Sequence, residues 1–563
     1  MAERTMTRRA ALAAAAGALA CAAMPVTAHA EGAADDGAAV ASTFAQPYAA
    51  WPGYATTAAE SLAPGAVPVK APASSEQLWS HAFDGTLHAS NVGLALRQVG
   101  QSTFAYGVAE DRLVKVDMAS GELVASAELP GGAFGGESIA WADGVLLIPL
   151  QTGALAAYDE DLNQAWVSEA QTIAQKGASW LAASQVVSAD GAAYVLYAKD
   201  AAGDSDGEGN RGGQRALLVA YSLVDGSVLW TRWLERAEAD AAVARHDVAW
   251  DVRPSLFHTE SGLLACDGGA QLELISTSGD ALARQALPGG QEARGRMVRL
   301  PNGYFALGTD GGMCLLAAVN GDRVVVAAGD EGAGSIVPVR PAAVQDTAYF
   351  LAQESSGAMR LLACGMLEGS AGTLTVSEVK GSKELPLRAG EQPTSLLATV
   401  YGARAGEETV ALYIGTDRNA VYTVRLESGD ALSSASVGTV RQGNGNGSVG
   451  QMLADRSGAL CLAAHDSHGR AALLALASNE AEAAATPVGG SEGLDTIGSA
   501  LSGLQLPNGA GMGVGVLIFA LGFGAYFAIR NRDGRTRTDE GLDEWRRHGG
   551  GNGAGGRDGG ARS

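Results

Sequence analysis

From Leu78 to Ala477 short apolar runs alternate with Gly, Asp and Asn, and the runs recur in a fixed order. The clearest copy is Leu113-Val-Lys-Val-Asp117 followed by Met-Ala-Ser-Gly-Glu-Leu-Val124. A strand ends on Asp, a Gly-bearing turn follows, and a second strand returns. Related copies lie at Ala154 to Trp166, Leu217 to Trp230 and Leu272 to Leu282, with weaker ones at Met313 to Asn320, Met359 to Gly365, Val421 to Gly429 and Ala471 to Ala477. A further apolar run precedes most copies by one turn: Gly144–Leu150, Ala193–Tyr197, Gly262–Cys266, Tyr304–Leu307, Ala348–Leu351, Val410–Ile414 and Ala459–Leu462. Their lengths and their β-branched and aromatic content suit strands in packed sheet. Asp143-Gly144, Asp190-Gly191, Asn302-Gly303 and Ser457-Gly458 stand before such runs and supply the positive φ of tight hairpin turns.

A recurrence of about 50 residues, each copy a small sheet unable to bury its own faces, predicts a ring of stacked sheets. The expected fold is all-β: a β-propeller of eight four-stranded blades, with seven as the rival count, spanning residues 76–477. Gln77-Leu-Trp-Ser-His-Ala-Phe83 is placed to close the ring against the last blade. Closure removes free sheet edges.

The strand–Asp–turn–Gly–strand–Trp order of residues 153–166 and 217–230 resembles the PQQ-like repeat of quinoprotein-type propellers. The scaffold lipoprotein of the outer-membrane β-barrel assembly machine has similar blades. The resemblance implies that Trp166 and Trp230 pack between blades, that Tyr158 and Tyr221 sit on equivalent inner strands, and that Asp117 belongs to the same blade framework. In quinoprotein dehydrogenases it also implies PQQ held over a disulfide between adjacent cysteines, with Ca²⁺ on Glu and Asn and an Asp as base. No Cys-Cys pair occurs here, which argues against PQQ. Cys266, Cys314, Cys364 and Cys461 each lie in an apolar strand of a different unit, where cysteine behaves as a small buried hydrophobe. Inert thiols are expected, with no disulfide among them.

Other chemistry is sparse. No G-x-S-x-G, H-E-x-x-H or C-x-x-C motif occurs. His465-Asp-Ser-His468 reads as a polar hairpin lacking a third convergent metal ligand. Asp204, Asp206 and Glu208, followed by Gly209, imitate the opening of a calcium loop, but Arg215 stands where a bidentate Glu is needed. A solvated insertion is the alternative, and neither calcium nor PQQ is expected as a cofactor.

Charge narrows the partners. The chain has 39 Lys+Arg against 61 Asp+Glu, a net charge of −22. Residues 31–529 hold 28 bases and 54 acids, a surface that repels phosphate backbones and excludes nucleic acid. Gly, at 77 residues, fits many tight turns, and the core must be built from Ala, Val and Leu.

The termini give an address. Arg4, Arg8 and Arg9 before the apolar run Ala10–Met24, with Ala28-His-Ala30 ahead of Glu31, read as a signal peptide over residues 1–30. Thr7-Arg8-Arg9 leaves twin-arginine and general export open, and Cys21 lacks a proper lipobox because Ala18 stands where Leu is usual. Residues 31–75, with five prolines and Tyr48, Trp51 and Tyr54, are expected to form a linker, and 478–509 a spacer. Residues 510–529 form a run of 20 without a charge, about 30 Å as a helix and long enough to cross a bilayer. Arg530, Arg532, Arg535 and Arg537 then assign the tail, 530–563, to the cytoplasm, with the propeller outside. Gly511-x-x-x-Gly515 and Gly524-x-x-x-Ala528 permit homodimer contacts. Leu506-Pro-Asn-Gly-Ala510 lacks the Thr-Gly of a sortase signal, so retention in the membrane is expected. The expected function is a non-enzymatic envelope scaffold or binding module for a protein, polymer or small ligand. A tethered oxidoreductase and an extracellular sensor are the alternatives.

Overall fold

The computed structural model describes residues 67–479, except 70, 84–88, 90–91, 100–101, 172–179, 199–215, 235–253, 301–302, 330–333, 345, 367–375, 402–408, 428, 444 and 446. The expected signal peptide, the linker up to residue 66, the spacer beyond 479, the apolar run 510–529 and the tail lie outside the described residues. So do Asp204, Asp206 and Glu208. Among the described residues no helix is long and apolar enough to cross a membrane.

Eight sheets follow one another along the chain, antiparallel except where Ala328–Gly329 joins blade 6 and Val67–Pro68 joins blade 7 in parallel, which settles eight blades over seven. Blades 1 to 7 span 93–128, 140–167, 182–234, 255–286, 293–326, 335–384 and 393–441. Blade 8 combines 452–478 with Ala73–Ala82. All eight repeat copies begin on third strands, from Arg112–Asp117 in blade 1 to Ala471–Ser478 in blade 8, and the four clearest run on into the fourth. The runs that precede them are second strands, such as Val145–Pro149 and Ala192–Ala198. Second and third strands are buried on both faces, so they read as unbroken apolar runs: Ala192–Ala198 and Leu155–Tyr158 are buried throughout. Fourth strands face water. Leu123–Glu128 and Ala281–Ala286 alternate exposed with half-buried positions. Asp143 (φ 45°) and Gly144 (φ 83°) both take positive φ before Val145, as do Asp190 (φ 52°) and Gly191 (φ 77°) before Ala192.

Closure comes from the N-terminal side. Ala73–Ala82 pairs antiparallel with Ala471–Ser478, with Trp79 opposite Ala475 and His81 opposite Leu473. Strand structure therefore starts before residue 76 and takes in the end of the expected linker. Val67–Pro68 pairs in parallel with Thr399 and Val400 of blade 7, and Val69 and Ala71 are buried. Apolar side chains at 69, 71 and 73 gain more from burial here than proline density suggests.

Neighbouring blades are joined at their outer edges by a recurring contact. Trp166, on the fourth strand of blade 2, donates Nε1–H to Leu223 O of blade 3 at 3.1 Å. Its ring lies on Gly226, where a Cβ would come within 2.4 Å of the indole. Gly226 has φ 73°, so the turn needs glycine both for its backbone and for the ring's approach. Trp230 repeats the arrangement on blade 4 (Thr277 O at 3.0 Å, Gly279), and Trp79 on blade 1 (Met118 O at 2.8 Å, Gly121). Asp117 fixes the blade 1 turn, its Oδ1 accepting from Ala119 N at 3.0 Å and Ser120 N at 2.8 Å. Tyr158 and Tyr221, on third strands, donate to Glu128 O and Gly153 O of the preceding blade at 3.1 and 2.8 Å.

Trp79 belongs to both the closing strand and a seam. Trp79→Ala is expected to cost about 3 kcal/mol in urea denaturation, whereas Leu78→Ala, at a position 43% exposed, should change stability by less than about 0.5 kcal/mol. Equal midpoints for the two variants would remove the seam from this account.

Candidate functional site: the axis of the ring

First strands form the inner wall. Val187–Ala189 lies against Ser255–Thr259, Ala342–Val344 against Pro393–Tyr401, Pro393–Tyr401 against Met452–Ala454, and Met452–Ala454 against Gly93–Val99. Hydrogen bonds near the starts of these strands stitch the wall blade to blade. Val186 N donates to Ser138 O at 3.1 Å, Gln185 Nε2 to Leu256 O at 2.6 Å, and Met297 N to Ser255 Oγ at 2.9 Å. Thr394 Oγ1 donates to Val449 O at 2.6 Å, and Leu94 N to Gln451 Oε1 at 2.9 Å.

At three places the first strand is broken and at a fourth it starts late, and each of these points carries a polar side chain of the axial cluster. In blade 5, Arg294 pairs with Gly308 and Val298 with Ala306, so the inner strand carries extra residues between the two pairs. Gly295 sits in that bulge at φ 71°, pressed against the backbone of Pro338 and Val339, and Arg296 follows it. In blade 6 the first strand is interrupted between Ser335–Ile336 and Ala342–Val344, and Arg340 stands in the gap. In blade 3 the gap between Ala182–Ala183 and Val187–Ala189 holds Gln185. Glu137 precedes the short first strand Ala140–Ala142 of blade 2.

These four side chains meet. Arg340 Nε lies 3.2 Å from Glu137 Oε1, a contact between blades 6 and 2, which are opposite in a ring of eight. Arg296 reaches from blade 5 to donate Nη2–H to Ala183 O at 2.9 Å and Nη1–H to Glu137 O at 3.3 Å and Gln185 Oε1 at 3.4 Å. Its Nε is 3.9 Å from Glu137 Oε2. The side chains of Arg296, Arg340 and Glu137 are 7%, 10% and 19% exposed. Contacts between opposite blades place the cluster on the axis. Burial pulls the Arg340 guanidinium below the ordinary arginine range, and Glu137 opposes that shift. Arg340 Nε lacks the alignment of a hydrogen bond, and its buried Nη1 has no hydrogen-bond partner.

None of these residues is distinguished in the sequence by a motif. The available signal is slight: Gly295-Arg296-Met-Val and Val-Pro-Val-Arg340-Pro each set one Arg in an apolar run beside Gly or Pro. The residues singled out from the sequence lie elsewhere. Asp117, Tyr158, Trp166, Tyr221 and Trp230 serve the seams. His465 Nδ1 faces Ser448 N at 2.9 Å, and Asp466 caps its own turn through His468 N at 2.8 Å and Arg470 N at 2.9 Å. Among the described residues no group of three or more His, Cys, Asp or Glu is placed to hold a metal ion. Cys266, Cys314, Cys364 and Cys461 are buried and none of the four is in a disulfide. Two of them meet across the seam of blades 5 and 6, with Cys364 Sγ 3.8 Å from Cys314 O. A side-chain hydrogen bond with Cys364 pushes the Cys314 thiol up, and burial adds to it; burial does the same at Cys461.

No family model matches the chain, and no curated protein sequence matches it. Among solved structures it is similar to BamB from Moraxella catarrhalis, at 12% identity and a TM-score of 0.44, covering 71% of this chain and 99% of that one. It is similar to a europium-containing methanol dehydrogenase at 9% identity and a TM-score of 0.39, covering 69% and 84%. The third is Saccharomyces cerevisiae Sqt1, at 11% identity and a TM-score of 0.43, covering 74% and 100%. All three are β-propellers, and likeness at this level is one of fold alone.

Among the described residues Glu137 is the carboxylate that faces both buried guanidinium groups. Glu137→Ala is therefore expected to cost about 3 kcal/mol, the penalty for breaking a buried ion cluster from one side. Urea midpoints measure it, and an unchanged midpoint would mean that water already screens the cluster. In the folded protein Cys266, Cys314, Cys364 and Cys461 should resist thiol reagents, and all four should react once urea unfolds the chain.

Proposed function

We propose that the chain is a non-catalytic binding module: an eight-bladed ring that engages a protein, polymer or small ligand on one face. On this reading the signal peptide exports it, residues 510–529 tether it, and the ring stands outside the cell with the tail in the cytoplasm. The observation that carries the reading is the bolt across the axis. The middle of the ring is filled by side chains from blades 2, 3, 5 and 6 that hold one another, which makes a rigid platform and leaves little room there for a large flat cofactor.

The thiols support the same view. The PQQ platform implied by the repeat resemblance is a pair of adjacent cysteines. Here the cysteines are dispersed over blades 4, 5, 6 and 8, each within a strand. The residues present do not fit that group, and the proposed module works without PQQ or calcium.

Full-length protein incubated with PQQ and Ca²⁺ is expected neither to retain the quinone nor to reduce a dye with alcohols or sugars. Tight uptake accompanied by turnover would replace this reading with an oxidoreductase. Protease added to intact cells should digest the ring while cytoplasmic markers survive, and a ring protected behind a sealed membrane would overturn the topology.

A further inference from the structure

Among the described residues the axial cluster carries an unbalanced charge. Arg296 and Arg340 bring two guanidinium groups, which stay protonated in proteins, and Glu137 brings one carboxylate. The cluster is at least four-fifths buried at each member, and among the described residues Arg340 shares its one facing carboxylate, Glu137, with Arg296. Isolated buried charge is strongly unfavourable, and folded proteins pair it. The two arginines are not equivalent. Arg296 donates to Ala183 O, Glu137 O and Gln185 Oε1. Arg340 has an ion-pair contact through Nε but no hydrogen bond at Nε or Nη1. The missing partner is thus an acceptor at Arg340, carrying negative charge.

We propose that the axis of the ring holds a small carboxylate ligand, accepted by Arg340 beside the Arg296–Glu137 pair. Charge selects the class. One carboxylate gives Arg340 the full counter-charge it now shares with Arg296, whereas a phosphate or sulfate dianion would crowd a second negative charge against Glu137. Shape selects further: a planar guanidinium edge presents parallel N–H groups that match the two oxygens of a carboxylate and not a spherical chloride. The cluster is not sealed from solvent, since Glu137 keeps 19% of its side-chain surface. The carboxylate can belong to a free acid or to the C-terminus of a peptide reaching the axis. This site is distinct from the protein- or polymer-binding surface proposed above, and either can fail without the other.

The test uses full-length protein in detergent, with thermal unfolding followed in sodium acetate up to about 50 mM against sodium chloride of equal ionic strength. Acetate should raise Tm progressively and chloride should not. Arg340→Gln should weaken the apparent acetate affinity by at least about tenfold. Arg284→Gln, on the blade 4 rim, should respond as the unaltered protein does. If Arg340→Gln does not fold, Glu137→Gln decides the matter. It removes the carboxylate that the two guanidinium groups share, so the acetate response should exceed that of the unaltered protein. A dipeptide with a free C-terminus compared with its amide separates the two sources: a rise with the free acid alone adds peptide ends to the ligand class, and no rise with either confines it to small acids. Equal effects of acetate and chloride, an unaltered response in folded Arg340→Gln, or no larger response in Glu137→Gln would overturn the proposal.

Discussion

Every sheet in this ring depends on a neighbour for burial, so the whole depends on the pairing of Ala73–Ala82 with Ala471–Ser478. A row of eight sheets without that pairing has two exposed ends, each offering apolar faces and unpaired backbone. The closing strand brings Trp79 with it, which docks on the first blade at Met118 O. Backbone pairing to blade 8 and side-chain docking on blade 1 thus occur on one strand. Few residues join the two ends of the ring, and they do so by the means used at the interior seams.

The seams are not uniform, which explains why the repeat is plain in some units and faint in others. Where Trp79, Trp166 and Trp230 cross a seam, the receiving turn must hold glycine at Gly121, Gly226 or Gly279, and the pair leaves a legible trace in the chain. Elsewhere the fourth strand offers Ala125 or Ala283, and small residues let the next blade approach without a signature. Tyrosine hydroxyls add directionality. Tyr158 and Tyr221 each donate to a backbone carbonyl of the preceding blade, satisfying a buried polar group while locking the seam's register.

The axis obeys another logic. Strands around a closed ring converge on its centre, and regular first strands would line that centre with alternating side chains. Breaks at Gly295, at Arg340 and at Gln185 turn polar groups inward. Those groups bond across the middle of the ring, as the Arg340–Glu137 contact does. The chain is acidic overall, yet at its axis two guanidinium groups face one described carboxylate.

Local pattern determined the blades, because strands buried on both faces must be apolar throughout and the turns between them must carry Gly or Asp. The runs around Leu113, Leu217 and Leu473, the hairpin pairs at Asp143-Gly144 and Asp190-Gly191, and the closing role of the Trp79 segment were all legible on that basis. Strand structure before residue 76 was not, because Pro68 and Pro72 read as linker until Val69 and Ala71 are seen buried beside blade 7. The axial cluster lay beyond sequence reading altogether. Glu137, Gln185, Arg296 and Arg340 are spread over 203 positions between Glu137 and Arg340, and each alone is an ordinary polar residue at a strand break. Only ring closure makes blades 2 and 6 face each other, and that is a property of how eight units close, not of any one of them.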